Sequence, residues 1–223
     1  MALDGFLAQL LIGTGVTIKL AGCSLLLGLC LGLLGMIAEQ SKIRLIRYLS
    51  HTIISLLRGL PELLVLFFIY FGSGFILTQL LGHYVEVTSF TAGVIGLGLI
   101  FAAYASQTFR GAFLAIPAGQ TEAAKALGLS SLRIFGQILL PQALRHALPG
   151  LSNLWYVLLK DTALVSLIGL ADLMNNAQIA ASSTQKPFTY FALTGLIYLF
   201  LTSVSQYFLN RIIYFSNRHL VKS

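Results

Sequence analysis

The chain has 223 residues, of which 57% are hydrophobic and only 9% are charged, and its mean hydropathy is +0.87. Soluble domains carry about 25% charged residues, so this composition excludes an ordinary soluble protein and indicates one embedded in a membrane. The net charge of +7 does not indicate nucleic-acid binding, because the basic residues lie between the apolar runs and not on one soluble face.

Five apolar runs are long enough to cross the hydrocarbon core of a membrane, which needs about 20 residues. They predict transmembrane helices at 7–38, 60–81, 90–109, 149–170 and 188–212. In the first run, GLCLG at Gly28 to Gly32 is a small-xxx-small pattern that allows close helix packing. The predicted fold class is an all-α membrane protein with five transmembrane helices, forming a single domain over residues 1–223.

Charges between these runs predict the orientation of the chain. Most cations fall on one side of the five predicted helices: Lys42, Arg44, Arg47, Arg58, Arg110, Lys125, Arg133, Arg145, Arg211, Arg218 and Lys222. The other side carries one cation and three acidic residues: Lys186, Asp4, Glu86 and Asp172. Because cations concentrate in cytoplasmic segments, the sequence predicts an N-terminus outside and a C-terminus inside.

The connection after the third run, at about 111–147, is long and falls on the predicted inner side. Pro117 precedes a short helical pattern, and Gly128 suits the left-handed position that follows a helix. Ser130 or Ser131 can cap a second helix. The connection is therefore predicted to fold as two short helices at an angle, which present small and apolar residues to a partner.

This connection carries a family resemblance. Glu122-Ala123-Ala124, Gly128 and the run Ile138-x-Leu140-Pro141 match the signature E-A-A-x3-G-x9-I-x-L-P at every specified position. The signature resembles that of ATP-binding-cassette importer permeases. RGLPELLVLFFIYFG and ALPGLSNLWYVLLKDTALVSL resemble the second and fourth spans of their polar amino-acid subfamily. The resemblance covers nearly the whole chain and implies a type I importer permease in the bacterial inner membrane.

The resemblance also implies partners. It assigns Glu122, Ala123, Ala124 and Gly128 to a coupling helix that docks on a dimeric cytoplasmic ATPase. It further implies a second, homologous permease subunit or a second copy of this chain, a periplasmic amino-acid-binding protein, and surrounding membrane lipid. The sequence contains no G-x-x-x-x-G-K-[ST] phosphate-binding loop, so ATP and Mg²⁺ are expected on the ATPase and no cofactor or metal on this chain.

Lys160 and Asp161 stand side by side in the fourth predicted span. A charge at the centre of a bilayer costs about 2.5 to 3.5 kcal/mol, and such residues usually mark a transport path. Adjacent helical residues point about 100° apart, so these two side chains are not expected to satisfy each other. Lys160 is expected to meet the carboxylate of an amino-acid substrate and Asp161 its cationic side chain.

Four polar residues are further candidates for substrate contacts. Thr162 and Ser166 are spaced i, i+4, so their hydroxyls would share one face of an α-helix, although hydrogen bonds to carbonyls of their own helix are an equal alternative. Tyr104 and Gln107 lie one turn apart in the third span. Many members of the resembling family carry Glu where Gln107 stands, so a second permease would have to supply that carboxylate.

Together these features predict a permease for a cationic amino acid, with arginine first and histidine, lysine, ornithine or glutamine as alternatives. A secondary transporter independent of ATP is the alternative from another class, although internal repeats typical of such proteins are not found in the sequence. An intramembrane enzyme would need Ser/His or metal-ligand spacing within the spans, which the sequence lacks.

Overall fold

The computed structural model describes residues 2–83 and 85–217, with side chains described for residues 5–83 and 85–216. Within these residues the protein is helical and contains no strand. The helices are α1 (Ala2–Glu39), α2 (Arg44–Gly59), α3 (Glu62–Leu81), α4 (Ser89–Leu114), α5 (Ala118–Ala126), α6 (Ser131–Arg133), α7 (Leu140–Asp161), α8 (Leu173–Thr184) and α9 (Pro187–Asn217). A π-helical turn, Ile134–Leu139, joins α6 to α7, and a 3-10 helix, Thr162–Ile168, follows α7.

In the described part of the chain, five helical stretches are long and apolar enough to span a membrane. They are Gly5–Glu39, Glu62–Leu81, Ser89–Leu114, Ser131–Ile168 and Pro187–Ser216. These stretches confirm the predicted all-α fold class with five transmembrane helices. The orientation stays a prediction, and Arg218 and Lys222, on which it partly depends, lie outside the described residues.

The fourth apolar helix starts much earlier than predicted. Its helical run begins at Ser131 and passes through Pro149 without interruption. Pro149 lacks a backbone N–H and would usually stand at the start of a helix, but a helix in a membrane protein tolerates an internal proline. The second short helix predicted in the connection at 111–147 is consequently the first part of this long helix. Of the two short helices predicted there, only α5 is separate.

Two helices, α2 and α8, were not predicted. Helix α2 carries Arg44, Arg47 and Arg58 beside apolar residues, and α8 is rich in alanine, serine and asparagine. Neither forms a continuous apolar run. Helix α2 ends at Gly59, and after Leu60 the chain reaches Pro61, which has φ −57° and directly precedes α3. The predicted second span therefore corresponds to α3, and the helical backbone is interrupted between α2 and α3.

Helix α4 is the central helix of the fold. A Cβ atom placed on Gly28 would lie 3.0 Å from the Gly98 carbonyl oxygen, and one on Gly32 would lie 3.1 Å from that of Ala102, so α1 and α4 run parallel. On the other side, Gly150 meets Thr108 and Val165 meets Gly93, so α7 runs antiparallel to α4. Buried Leu20, Leu66, Leu97, Phe101 and Val165 fill the core between these helices.

Candidate functional site

A cavity of about 330 Å³ lies between α3, α4 and α7. Helix α4 supplies four lining residues at helical spacing, and α7 supplies most of the others. The lining residues are Glu62, Leu97, Ile100, Phe101, Tyr104, Asn153, Leu154, Val157, Leu158 and Asp161. Since residues 97–104 are the middle of α4, the cavity lies at mid-height of the bundle, where a substrate path is expected.

Two carboxylates line this cavity, Glu62 and Asp161. Glu62 is the first residue of α3 and Asp161 the last residue of α7, so both stand at helix ends, and both are partly buried. When both are ionised, two carboxylates in one cavity repel each other. In a pocket of low dielectric constant the repulsion between two like charges is strong, and a bound cation would relieve it.

Tyr104, a predicted substrate contact, lies in the same cavity as Asp161. Its hydroxyl donates a hydrogen bond to the carbonyl oxygen of Arg58 at 3.4 Å, and the Arg58 guanidinium lies over its ring, 5.5 Å from the ring centroid. The end of α2 is thereby fixed at mid-height of α4. The break between α2 and α3 consequently places Glu62 inside the bundle, beside the middle of α4.

Lys160, Thr162 and Ser166 do not line the cavity. The Lys160 side chain is exposed. Thr162 and Ser166 are buried, and their hydroxyls donate to the carbonyl oxygens of Leu159 and Ala163, each at 2.7 Å. Both residues lie in the 3-10 segment, where residues four apart point about 120° away from each other. The prediction of a shared α-helical face was therefore wrong, and their hydroxyls bond to their own helix.

Gln107 belongs to a different polar cluster. Its Nε2 donates to Glu39 Oε2 at 2.7 Å, and the second oxygen of Glu39 lies 3.2 Å from His51 Nδ1. The Glu39 side chain is only 3% exposed. A carboxylate of this chain, that of Glu39, thus lies beside Gln107, but outside the cavity.

The predicted coupling residues lie on or directly after α5. Glu122 and Ala123 are exposed, whereas Ala124 is buried against its own chain. Gly128 has φ +74°, and its N–H donates to the Lys125 carbonyl at 2.9 Å while the Leu129 N–H donates to the Ala124 carbonyl at 3.2 Å. This is a Schellman cap, which requires a left-handed residue. Gly128 therefore shapes the end of α5.

Helix α5 is attached to the long helix that leads to the cavity. Gln142 Nε2, on α7, donates to Gln120 Oε1 on α5 at 2.6 Å. Phe135 in the π-helical turn stacks on Phe113 of α4 with ring centroids 5.8 Å apart. Leu127, at the end of α5, is 81% exposed. The surface around α5 therefore combines a firm internal attachment with an apolar exposed side chain that suits a protein partner.

Sequence reasoning missed three residues of these two clusters. Glu62, Glu39 and Asn153 are not among the substrate contacts that the sequence predicts. The signal for Glu62 was its position after Pro61, because a helix that starts within a membrane protein leaves unpaired backbone groups that must line a cavity or contact protein. Glu39 and Asn153 follow no motif that would mark them.

A family model described as "Binding-protein-dependent transport system inner membrane component" matches residues 32–218. The arginine ABC transporter permease protein ArtQ of Haemophilus influenzae is 50% identical over 201 residues, covering 90% of each chain. ArtQ of Escherichia coli K12 is 46% identical over 215 residues, covering 89% of this chain and 90% of the relative. The histidine/lysine/arginine/ornithine transport system permease protein HisQ of E. coli K12 is 40% identical over 208 residues, covering 92% and 91%.

Solved structures share this architecture. The crystal structure of an amino acid ABC transporter with histidines matches with a TM-score of 0.84 and 30% identity, over 95% of both chains. The MetNI methionine ABC transporter in an inward-facing conformation matches with a TM-score of 0.69 at 19% identity, again over 95% of both chains. The second likeness shows a common fold only, whereas the first combines the same fold with a substantial sequence identity.

Proposed function

The chain belongs to the family of binding-protein-dependent transport system inner membrane components, and from its identity of 46% and 50% to two arginine permeases we propose that it carries L-arginine across the bacterial inner membrane. The protein is a permease subunit of an ATP-driven amino-acid importer, and the partner ATPase hydrolyses the ATP. The observation that carries the choice of a cationic substrate is the pair of carboxylates, Glu62 and Asp161, in one cavity at mid-height of the bundle.

A cationic side chain suits this cavity for electrostatic reasons. A guanidinium group binds carboxylates with two parallel hydrogen bonds and reduces the repulsion between them. A neutral substrate such as glutamine would leave both charges uncompensated in a site of low dielectric constant. Tyr104 and Asn153 complete the polar part of the lining. The aliphatic part of an arginine side chain would lie along Leu97, Val157 and Leu158.

The carboxylate of the substrate would meet a cation next to the cavity. Two are available: Lys160 precedes Asp161 and is exposed, and the Arg58 guanidinium lies over the ring of Tyr104. Arg58 offers the bidentate geometry that a carboxylate prefers. Either of these two cations could bind the substrate carboxylate, and removing each of them in turn distinguishes the two.

The proposed assembly contains two permeases, two ATPase subunits and a periplasmic binding protein. The ATPase would dock on α5 through Glu122, Ala123 and Leu127, all of which are exposed. ATP and Mg²⁺ would be bound by the ATPase, since this chain supplies neither a phosphate-binding loop nor another nucleotide motif. With the N-terminus outside and the C-terminus inside, α5 faces the cytoplasm, where the ATPase must act.

Histidine is the second candidate substrate, because HisQ relatives are 40% identical to this chain and their names include histidine, lysine and ornithine as well as arginine. A protonated imidazole would also be attracted by two carboxylates, but it lacks the forked geometry of a guanidinium. Competition between the amino acids therefore separates the two candidates.

The proposal is tested by ATP-driven uptake of labelled arginine into proteoliposomes that contain the whole complex. Asp161→Asn and Glu62→Gln should each lower uptake by about tenfold or more, because loss of one partner of a buried charge pair costs 2–5 kcal/mol. Arg58→Gln and Lys160→Gln are compared in the same assay. Glu86→Gln is the matched control, since Glu86 is exposed and does not line the cavity.

Each outcome bears on the proposal. If the wild type takes up histidine but not arginine, arginine is the wrong substrate, although the site can still be correct. If Asp161→Asn and Glu62→Gln transport as well as Glu86→Gln does, the carboxylates are structural and the proposed site is wrong. Uptake without the ATPase would instead support a secondary transporter.

A further inference from the structure

A group of basic side chains surrounds a second cavity, of about 460 Å³, at the end of the bundle where α1 ends and α2 begins. Helix α2 supplies residues at positions i, i+3, i+4 and i+7, which share one helical face. We call this cavity the arginine basin, and its lining residues are Glu39, Arg44, Arg47, Tyr48, His51 and Arg110. It is separate from the substrate cavity, with which it shares no lining residue.

The single carboxylate in the arginine basin is already engaged. One oxygen of Glu39 accepts a hydrogen bond from Gln107 and the other lies 3.2 Å from His51 Nδ1. Within residues 5–83 and 85–216, no ion pair joins Arg44, Arg47 or Arg110 to an acidic side chain. Three exposed guanidinium groups therefore face one buried carboxylate, and the basin has an excess of positive charge.

Two further features favour an anion in the basin. Helix α2 starts at Arg44 without a side-chain cap, so the unpaired N–H groups of its first turn add partial positive charge. Tyr48 contributes a phenolic hydroxyl that can donate a hydrogen bond. Arginine forks bind phosphate oxygens in pairs, so three of them around one cavity match a phosphate group better than a single-point anion.

Helix α2 also carries an exposed apolar surface, on a different face from the residues that line the basin. Leu45, Leu49, Ile53 and Leu56 of α2 are between 50% and 66% exposed. Helix α2 is therefore amphipathic: its apolar side suits the boundary of the membrane, and its arginines can hold a phosphate group there. Basic pockets at the membrane surface bind anionic lipid headgroups in this way.

We infer that the arginine basin binds a phosphate group through Arg44, Arg47 and Arg110. An anionic phospholipid headgroup and free inorganic phosphate present the same chemistry, and the two arms of the experiment distinguish these sources. The inference concerns a site that the proposed transport function does not use. It is independent of which amino acid is carried.

The test measures phosphatidylglycerol bound to the detergent-solubilised complex by native mass spectrometry, in competition with zwitterionic phosphatidylcholine. The double variant Arg44→Gln/Arg47→Gln should retain about tenfold less phosphatidylglycerol than the wild type, given the contribution of each cation near a membrane surface. Arg133→Gln/Arg145→Gln is the matched control. It removes the same charge from α6 and α7, outside the basin.

Free phosphate is examined in a second arm, in which excess inorganic phosphate competes with the lipid and chloride at the same ionic strength is the control. Displacement by phosphate but not by chloride identifies free phosphate as a ligand, and no displacement identifies the lipid. Equal loss of lipid in the two double variants would overturn the inference, because it would reflect net charge alone. Unchanged binding in both would overturn it as well.

The variants must also remain folded. Co-purification of the ATPase and an unchanged thermal midpoint establish this for each double variant. Arg47→Lys provides a milder test, because it keeps the charge but removes the fork. A phosphate site predicts weaker binding for Arg47→Lys than for the wild type, whereas binding equal to the wild type would contradict bidentate recognition by this residue.

Discussion

The Asp172 carboxyl group caps α8 from a completely buried position. One oxygen accepts a hydrogen bond from the Asn175 N–H at 2.8 Å, and the second has no partner among the described residues. Helix α1 covers this site closely, because a Cβ atom on Gly13 would lie only 2.7 Å from the Asp172 carbonyl oxygen. Burial raises the pKa of the Asp172 carboxyl from 3.8 to about 6, although backbone hydrogen bonds act in the opposite direction.

This raised pKa predicts how stability depends on pH. At a pH well below 3.8, the Asp172 carboxyl is neutral in both the folded and the unfolded chain. As the pH rises towards 6 the unfolded chain ionises first, so the folded state loses up to about 3 kcal/mol relative to it. Asp172→Asn keeps an oxygen for the cap and removes the charge. It should raise the thermal midpoint of the purified complex at neutral pH and little near pH 4.

The pH series of the thermal midpoint includes Glu86→Gln as a control, since Glu86 is exposed and lies on the same predicted side of the membrane. We expect this variant to follow the wild type throughout. If the difference in thermal midpoint between Asp172→Asn and the wild type is the same from acid to neutral pH, Asp172 does not titrate in this range.

At the level of single residues, the sequence predicted the cavity in part. Asp161 could be found because an ionisable residue in an apolar run is costly and therefore informative. Tyr104 could be found because it is a polar residue in the third predicted span, which precedes the span that carries Asp161. The α-helical face predicted for Thr162 and Ser166 is absent, because the sequence does not show that the chain tightens into a 3-10 helix at residue 162. Glu62 could not be identified from the sequence, because a glutamate that follows a proline also fits the first turn of any helix, where its charge complements the helix dipole.

Among the helices, α1 and α4 pack closely against each other at a pattern that the sequence shows. The predicted small-xxx-small pattern packs there: a Cβ atom on Gly32 would lie 2.9 Å from the Ala105 Cβ, and one on Gly28 would lie 2.6 Å from Phe101 Cδ1. Because the Ala105 Cβ is fixed to its backbone, it cannot move away as a flexible side chain could.

Gly32→Ala should therefore destabilise the protein by about 1–3 kcal/mol, the usual cost of an overpacked contact. Gly22→Ala is the matched control on the same helix, because a Cβ atom there meets nothing within 4 Å. The thermal midpoints of the two variants in detergent, measured with the ATPase bound, should differ in that direction. Equal midpoints would show that α1 and α4 can separate at no cost.

The elements of the fold were predictable where an apolar run was continuous. Five spans emerged from composition alone because a bilayer demands about 20 apolar residues per helix. Helix α2 was not predicted because arginines and other polar residues interrupt its apolar run. Helix α8 was not predicted because many of its residues are small or polar. The start of α7 was misplaced because Pro149 usually ends a helix in water.

For the whole molecule, the orientation in the membrane remains a prediction from the distribution of cations. Helix α5 and the loop before α6 lie at one end of the bundle, beside the C-terminal end of α4, and α8 lies at the opposite end, beside Gly13 of α1. The two ends can therefore be distinguished by chemical labelling.

Single cysteines at Ser131 and Ser183 are expected to react differently in intact spheroplasts. Ser183→Cys, at the end of α8, should be labelled by an impermeant maleimide, whereas Ser131→Cys should be labelled only after permeabilisation. Both serines are exposed. Cys23 and Cys30 are also exposed and must first be replaced by alanine. The reverse labelling pattern would invert the predicted topology and remove the basis for an ATPase on α5.

The close approach of Gly150 to Thr108 has a mechanical consequence. This contact lies between the two ends of α7, one tied to α5 through Gln142 and the other carrying Asp161. At 1.5 Å per residue, the contact is about 12 Å from Gln142 and about 16 Å from Asp161. If α7 pivots there, it acts as a lever: an inward push on α5 swings the Asp161 wall of the cavity outward, by a somewhat larger distance.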